Sequence, residues 1–312
     1  MKKSLGHILV NLAYQSGGSH KTRSDRENTA QRFASFLNKE NIKIELVEHI
    51  KASYIRDYVE WRKKNDIAIR TIANEMAHLR SILRKAGRDK LANNPSLNNK
   101  SLGIDGGSRK GTKIPCPHSV FQNFLVLARK RDKGLAVCIM LGFYLGLRRE
   151  EAIQSIQSIQ TWYDDLAAGK GIITVIFGTK GGRERQVRIF NTGMALTTLK
   201  FALRVMKERK GKLIDKPNLK EACYYFSNTT RAIGMEGQLS FHSLRYAFAV
   251  SIVKSYEDEG KTEKEAFGLA SINLGHGGNR GRYIKMVYGR TLVLPDVKLP
   301  NINSIEELGK LA

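Results

Sequence analysis

Several side chains from residue 148 onwards are of the types that act on a phosphodiester. Arg148 lies in "LGLRREEA", His242 and Arg245 lie in "FHSLR", and His276 lies in "LGH", with tyrosines following it. A tyrosine that attacks a phosphate without a metal creates a pentacoordinate state with extra negative charge. Fixed Arg, Lys and His donors must therefore surround that phosphate.

The spacing within these stretches suits such a site. Arg148 ends a strongly apolar stretch that reads as a buried helix, and Glu151, one turn further on, can hold its guanidinium group. His242 and Arg245 are three residues apart on a predicted helix, so they share one face. Bidentate arginine donors match the geometry of phosphate oxygens.

A lysine and two tyrosines complete the set. Lys180 lies in "GIITVIFGTKGGRERQVRIF", where β-branched runs on either side of a Gly-rich turn predict a hairpin or two strands. On that turn, a mobile cation can reach a leaving oxygen and protonate it. His276 lies just before the helix that carries Tyr283 and Tyr288. Taken singly, each of these residues also has a structural explanation; their conjunction favours the chemistry.

The elements that must position these residues are mostly helical, so the predicted fold class is mainly α (α+β). In the first half, "IAIRTIANEMAHLRSILRKAG" has apolar residues at spacings of three and four, which predicts an amphipathic helix. Its opposite face is cationic, and both a solvated face and phosphate contact explain it. The candidate DNA-binding residues on this face are Arg70, Arg80, Arg84 and Lys85.

A chain of 312 residues is long enough for two compact domains. We predict an exposed N-terminal arm over 1–22, a helical DNA-binding domain over 23–94 and an Asn-, Gly- and Pro-rich linker over 95–115. A mostly helical domain with a small antiparallel sheet follows over 116–290. The remaining residues, 291–312, are predicted to form a tail.

The charge indicates a polyanionic partner. The sequence has 53 Lys and Arg against 29 Asp and Glu, a net charge of +24, and its pI is near 10.0. No stretch approaches the roughly 20 apolar residues of a membrane span, so a protein with membrane-spanning helices is not predicted. Cys116, Cys138 and Cys223 are far apart with no CxxC pair, so neither a disulfide framework nor a structural zinc is predicted. A reducing cytoplasm is the expected compartment.

The order of these motifs resembles the tyrosine recombinase (phage integrase) family. The matching stretches are "GLRREEA", "GTKGGRERQVRI", "FHSLRYAFA", "LGH" and "YIKMVYG". The resemblance implies two domains that form a clamp around duplex DNA, with catalysis in the second. A tyrosine attacks the scissile phosphate to give a 3′-phosphotyrosine and a free 5′-hydroxyl, and a partner strand's hydroxyl reverses the step. The covalent bond conserves the energy, so neither ATP, metal nor other cofactor is implied.

The same resemblance implies roles and partners. Arg148 and Arg245 would bind the nonbridging oxygens, Lys180 would be the general acid, and His242 and His276 would assist proton transfer, with Glu151 in support. Family members act on double-stranded DNA with a specific recombination site, as homotetramers on paired sites. The C-terminal segment of each protomer docks on its neighbour. Accessory DNA-bending proteins and a prokaryotic cytoplasm complete the expectation.

The nucleophile departs from the family's spacing. The position nine residues after His276, where the tyrosine usually lies, is Lys285. Tyr288 is favoured because "GGNRG" reads as a lengthened loop and an apolar residue precedes the tyrosine, as in the family's local pattern. Tyr283 is the alternative nucleophile. About 140° apart on a helix, the two are not expected to enter one site together.

Two other functions remain open. Type IB topoisomerases share the chemistry without exchanging strands, and a basic DNA-binding accessory protein would retain the motifs without catalysis. The sequence does not choose between integration and excision of a mobile element, nor does it reveal the DNA target.

Overall fold

In the computed structural model, the chain divides into two compact units, Met1–Arg109 and Lys110–Ala312, of which residues 4–107 and 111–289 are described. The described part of the first unit contains five α-helices: α1 (Leu5–Gln15), α2 (His20–Lys39), α3 (Ala52–Lys64), α4 (Ile69–Lys85) and α5 (Asp89–Ala92). The second unit contains the other helices and a two-stranded sheet.

The first helix differs from the predicted exposed arm over 1–22. Leu5, Leu9 and Ala13 recur every four residues and are buried where α1 packs on α2 and α4. The side chain of Ser4 begins the helix by accepting a hydrogen bond from the backbone N–H of His7. An amphipathic period, rather than the short apolar run, therefore decides the structure of this segment.

The cationic helix predicted from the apolar stripe is α4. Ile72, Met76, Leu79 and Leu83 face the core of the first unit, as the periodicity predicts. The same buried face also carries Glu75, whose carboxylate accepts hydrogen bonds from Tyr58, Arg62 and Arg32. The buried charge is thus compensated by two guanidinium groups.

The predicted linker over 95–115 is longer than the connection in the structure. Leu97, Leu102 and Ile104 are buried in the core of the first unit, and Cys116 already belongs to the core of the second. The Asn- and Gly-rich segment forms turns, but its few apolar side chains are still buried. The division between the two units lies within the predicted range, although the first part of that range belongs to the core of the first unit.

The second unit is built around one buried helix. Its helices are α6 (His118–Arg131), α7 (Lys133–Tyr144), α8 (Arg149–Gln154), α9 (Ile159–Ala167), α10 (Thr192–Glu208), α11 (Leu219–Ala232), α12 (His242–Asp258), α13 (Glu263–Asn273) and α14 (Gly281–Tyr288). Every residue from 134 to 142 of α7 is buried, and α6, α10 and α12 pack around it. This confirms the mainly helical fold class.

The predicted hairpin is also present. Strands β1 (Ile172–Val175) and β2 (Arg185–Arg188) pair antiparallel, with Ile172 opposite Arg188 and Val175 opposite Arg185. Strand β2 packs against α13, and β1 packs against α9. The turn between the strands carries Lys180.

The tail predicted over 291–312 lies outside the described residues. Among the helices that the structure describes, none combines the length and the apolar character needed to cross a membrane.

Candidate active site

Arg148 is held by Glu151 at the start of α8. Oε2 of Glu151 accepts the Arg148 backbone N–H at 2.8 Å, and Oε1 accepts Nη1 of the same arginine at 2.5 Å. The carboxylate is fully buried, whereas a quarter of the arginine side chain is exposed. Glu151 therefore fixes both the main chain and the guanidinium of Arg148 while leaving the arginine accessible from outside.

The turn before Arg148 requires glycine. Gly146 has φ +63°, and a Cβ atom there would lie 2.2 Å from the ring of Phe248. Both the left-handed backbone and the close approach of α12 exclude a side chain. The carbonyl of Gly146 consequently lies where arginines from two other elements donate to it.

Arg245 is the largest fully buried side chain of the described residues. Its Nη1 donates to Gly146 O at 2.5 Å, and its Nη2 donates to Leu274 O. Nη2 of Arg148 donates to the same Leu274 carbonyl at 3.2 Å. The two arginines therefore converge on the residue that precedes Gly275 and His276. Within the described ranges, Nε of Arg245 has no hydrogen-bond partner.

A third arginine, which sequence reasoning missed, joins this cluster. Nη2 of Arg185 donates to Glu151 Oε2 at 2.7 Å, and Nη1 donates to Asn273 O at 2.7 Å. A signal for it exists in the sequence. Side chains alternate between the faces of a strand, so Arg185 lies on the same inward face as the buried Val187, two residues later.

The cluster carries an excess of positive charge, because one carboxylate faces three guanidinium groups. Burial by itself would raise the pKa of Glu151, but Arg185, Arg245 and Arg148 outweigh it and hold the pKa at about 2. Burial and the charges of Arg185 and Arg148 lower the pKa of Arg245 to about 9. Bringing an anion to this cluster would relieve the repulsion among the arginines.

The two predicted histidines lie beside the cluster. His242 keeps an exposed edge, but the protein packed around its ring, followed by the charges of Arg245 and Arg148, lowers its pKa to about 4. Partial burial of His276 and the same two charges lower its pKa to about 4 as well. Both imidazoles are therefore neutral at pH 7 in this structure and can accept a proton.

Tyr288 ends α14 inside the site. Its side chain is buried, and its hydroxyl oxygen lies 3.5 Å from Nε2 of His276. Its ring lies 4.4 Å from that of Tyr246 and 6.3 Å from the imidazole of His242, measured between centroids. The structure thus brings Tyr288 together with Arg148, Arg245, Glu151 and both histidines.

Tyr283 also lies beside His276, which differs from the expectation that only one tyrosine would enter the site. Its ring centroid is 5.6 Å from that of His276, and the side chain packs half-buried against the core. The imidazole is therefore flanked by both rings. Lys285, at the family's usual spacing, is exposed and pairs with Glu263 at 2.6 Å.

Gly111 packs against the element that carries Tyr288. A Cβ atom at Gly111 would lie 2.3 Å from the carbonyl oxygen of Val287 and 2.5 Å from the hydroxyl of Tyr246. Tyr246 in turn contacts the ring of Tyr288. Contacts on two sides therefore fix where α14 ends.

Lys180 is not brought together with the other predicted residues. It is exposed on the turn between the strands, where Gly181 and Gly182 have φ of +76° and +70°. The root of this turn is fixed, because a Cβ at Gly178 would lie 2.5 Å from the Glu150 carbonyl oxygen. The lysine therefore lies on a short, exposed turn anchored next to Glu151.

Of the four candidate DNA-binding residues of α4, Arg80 is partly buried and bonded within the protein, and the other three are exposed. Nη2 of Arg80 donates to Leu97 O at 2.7 Å and to Asn99 Oδ1 at 2.8 Å, so it holds the chain segment that follows α5. Arg84 is exposed and donates to Asn93. Arg70 and Lys85 are exposed as well.

Across 4–107 and 111–289, no three His, Cys, Asp or Glu side chains form a group that could hold a metal ion.

Comparisons with known proteins agree with this architecture. The family model for the phage integrase N-terminal domain matches residues 1–92, and the integrase model matches residues 103–251. No curated protein matches the chain.

Solved structures show the same fold. A lambda integrase tetramer bound to a Holliday junction is 17% identical, with a TM-score of 0.60 over 95% of this chain and 81% of that one. The Tn1549 transposon integrase in complex with transposon right-end DNA is 14% identical, with a TM-score of 0.57 over 93% and 96%. XerH site-specific recombinase in a post-cleavage complex with a palindromic difH substrate is 13% identical, with a TM-score of 0.55 over 91% and 94%.

The two family models together span most of the chain, and the mostly helical fold with its small sheet is that of these recombinases. The chain belongs to the phage integrase family of tyrosine recombinases and is a site-specific recombination protein.

Proposed function

We propose that this protein cleaves and rejoins DNA strands through a covalent bond between DNA and Tyr288. The observation that carries the proposal is the position of the buried Tyr288 hydroxyl, 3.5 Å from a neutral imidazole and beside an arginine cluster with excess positive charge. A nucleophile, a proton acceptor and anion-binding donors are the parts that attack on a phosphate needs.

Strand cleavage exchanges one phosphorus–oxygen bond for another. The Tyr288 oxygen bonds to phosphorus while the bond from phosphorus to the 5′ oxygen breaks, giving a 3′-phosphotyrosine and a 5′-hydroxyl. The phenolic proton passes to His276, which is the nearest nitrogen base. The departing oxygen takes a proton from Lys180. Attack by the 5′-hydroxyl of a partner strand reverses each transfer and releases the tyrosine.

The arginines would stabilise the charge that develops on phosphorus. Arg148 is a quarter exposed and can meet a phosphate oxygen with donors that Glu151 leaves free. Arg245 retains an unpartnered Nε–H within the described residues. Removing one such donor from an oxyanion site typically costs about 3–4 kcal/mol of transition-state stabilisation. His242, next to Arg245 on the same helical face, would supply a further contact to the phosphate.

Lys180 would act only when DNA orders its turn. The exposed lysine, which two left-handed glycines follow directly, has no fixed place in the cluster. A bound phosphate would attract the ammonium group and bring it to the leaving oxygen. This requirement would keep the acid away from the site until a substrate is present.

DNA is the proposed substrate. The net charge of +24 suits a polyanion, and the lambda, Tn1549 and XerH structures that share the fold contain DNA. Residues 23–94 and 116–290 would form the two arms of a clamp on a specific recombination site. Tetramers on paired sites, docking of 291–312 on a neighbour and accessory DNA-bending proteins belong to the same proposal, as does integration or excision of a mobile element in a prokaryotic cytoplasm.

The test uses the DNA that flanks the protein's own gene. The full chain is incubated with this DNA, denatured without protease, and the protein-linked strands are purified and sequenced. Covalent linkage at one defined phosphate, with the protein on the 3′ end, is the expected result. Linkage at random positions together with relaxation of supercoils by monomers would indicate a topoisomerase. Absence of linkage on flanking DNA that the protein binds would indicate an accessory DNA-binding protein.

A further inference from the structure

We infer that Arg185 is a positioning residue for strand cleavage, linking Glu151 and the turn that leads to His276. The inference rests on the proposed function. It concerns a residue that does not touch the reacting atoms and acts through those that do.

Arg185 is fully committed to the protein. Its side chain is only 4% exposed, and its two terminal nitrogens donate to Glu151 Oε2 and Asn273 O, each at 2.7 Å. Longer contacts join Nε to Glu151 Oε1 at 3.5 Å and Nη2 to Gly146 O at 3.4 Å. Each guanidinium nitrogen of Arg185 thus already has a protein acceptor, whereas Arg245 keeps an unpartnered Nε–H within the described residues, so direct phosphate binding is not assigned to Arg185.

The first connection orients Arg148. Glu151 has one carboxylate for two arginines, and each of its oxygens accepts from a different one at 2.7 Å or less. The Arg185 contact fixes the rotation of the carboxylate, and the carboxylate then fixes the guanidinium of Arg148. Without Arg185, the buried carboxylate would be free to turn towards Arg148 or Arg245.

The second connection sets the turn before His276. The carbonyl of Asn273 accepts from the Arg185 side chain, while its Oδ1 accepts the backbone N–H of Arg188 at 2.7 Å. Gly275 follows with φ +66°, and a Cβ there would lie 2.8 Å from Cδ of Arg185. The chain therefore passes directly over the arginine stem immediately before it reaches His276.

The third connection concerns the hairpin. Arg185 is the first residue of β2 and directly follows the turn that carries Lys180. Because the side chain of Arg185 is bonded to Glu151, one end of that turn is fixed at the arginine cluster. Lys180 therefore extends from a turn whose end is held in place, which limits the positions that its ammonium group can reach.

Arg185→Lys would keep the positive charge but lose the planar set of donors that reaches two acceptors. The guanidinium is planar and bonds two acceptors in different directions, whereas an ammonium group is a point charge on a flexible stem. Arg185→Lys therefore separates the geometry from the charge. Arg188→Gln is the matched control, because Arg188 lies on the same strand, is exposed and pairs with Glu259 outside the cluster.

The experiment is a double-mutant cycle on single-turnover adduct formation with flanking DNA. Its members are the wild type, Arg185→Lys, Glu151→Gln and the double variant, with circular dichroism and DNA affinity measured for each. We expect each single change to slow adduct formation by about 10- to 100-fold, by analogy with the loss of a residue that orients a metal ligand, with DNA affinity within about threefold. The double variant should be no more than about threefold slower than the slower single variant, because both remove one connection.

Arg188→Gln should stay within about threefold of the wild type in rate. An Arg185→Lys protein that is folded and reacts at the wild-type rate would overturn the inference, and so would fully multiplicative losses in the double variant. Loss of the folded state in Arg185→Lys would show a purely structural residue and overturn it too. A wild-type protein that binds the DNA but forms no adduct at Tyr288 would instead refute the proposed function itself.

Discussion

The hydroxyl oxygen of Tyr288 lies 3.5 Å from Nε2 of His276, so the candidate nucleophile and the nearest base meet within one chain. The contact joins the end of α14 to the turn after α13, twelve residues apart in sequence. No rearrangement of α14 is then needed to place the phenol beside the arginine cluster. Under the proposed function, a phosphate entering from outside would therefore meet the phenol and the arginines together.

Arg148 and Arg245 should both be needed for adduct formation, but they tolerate different substitutions. Arg148→Ala leaves Glu151 paired with Arg185, so we expect a folded protein that binds DNA but forms adduct about 100- to 1,000-fold more slowly. Arg245 is fully buried with two carbonyl partners, so Arg245→Lys is the safer substitution and should lose a similar factor. Single-turnover rates and DNA affinities check both. Near wild-type adduct formation by Arg148→Ala would remove it from the transition-state role.

Stability should fall as the solution is acidified from pH 6.5 towards pH 4.5. The pKa values of His242 and His276 are lowered to about 4 from 6.5, so across this range the unfolded chain binds more protons than the folded one. Stability therefore rises with pH in this window, and it is fully present above pH 6.5. Glu151, with a pKa of about 2, contributes its own loss only below its ordinary value of 4.5.

The measurement is the melting temperature between pH 7.5 and 4.5, for the wild type and for a His242→Asn/His276→Asn variant. The variant should lose less on acidification. His78, whose pKa burial also lowers, stays in both proteins, so the difference reports the two site histidines. Parallel curves for the two proteins would contradict the assignment.

A methyl group at Gly111 should disturb the nucleophile. In Gly111→Ala the new Cβ would overlap the carbonyl oxygen of Val287, which directly precedes Tyr288, and the hydroxyl of Tyr246. Overpacking of this kind typically costs about 1–3 kcal/mol, and the end of α14 must move to relieve it. We expect adduct formation to slow by about tenfold or more while DNA affinity is unchanged.

Gly193→Ala is the control for that substitution. Gly193 lies in α10, and a Cβ there meets no atom within 4 Å, so alanine should be neutral or slightly stabilising. The two variants are compared by adduct rate and melting temperature. Equal adduct rates would show that the contact with Gly111 does not position Tyr288.

Local patterns predicted much of this molecule. The apolar period of α4, the β-branched hairpin and the shared helical face of His242 and Arg245 all depend on neighbours in sequence, and the structure contains each of them. Glu151 lies one turn from Arg148 and pairs with it as the spacing predicts. Short-range spacing is sufficient for such features because the regular geometry of a helix or a strand determines which nearby side chains share a face.

Long-range packing decided what sequence reasoning missed. The sequence places Arg185 on the same strand face as Val187, but only the packing of β2 brings it against Glu151 and Asn273. The N-terminal segment becomes α1 because α2 and α4 offer an apolar face to cover. The rings of Tyr283 and Tyr288 both contact His276. The angle between the two tyrosines on α14 does not predict this, because the imidazole comes from the turn before that helix.

The most direct measurement is the identity of the residue that becomes linked to DNA. Trapped adduct from the wild type, Tyr288→Phe and Tyr283→Phe is digested with nuclease and protease, and the nucleotide-bearing peptide is sequenced by mass spectrometry. We expect a nucleotide on Tyr288 in the wild type, adduct in Tyr283→Phe, and none in Tyr288→Phe. A nucleotide on Tyr283, or adduct that persists in Tyr288→Phe while Tyr283→Phe forms none, would contradict it.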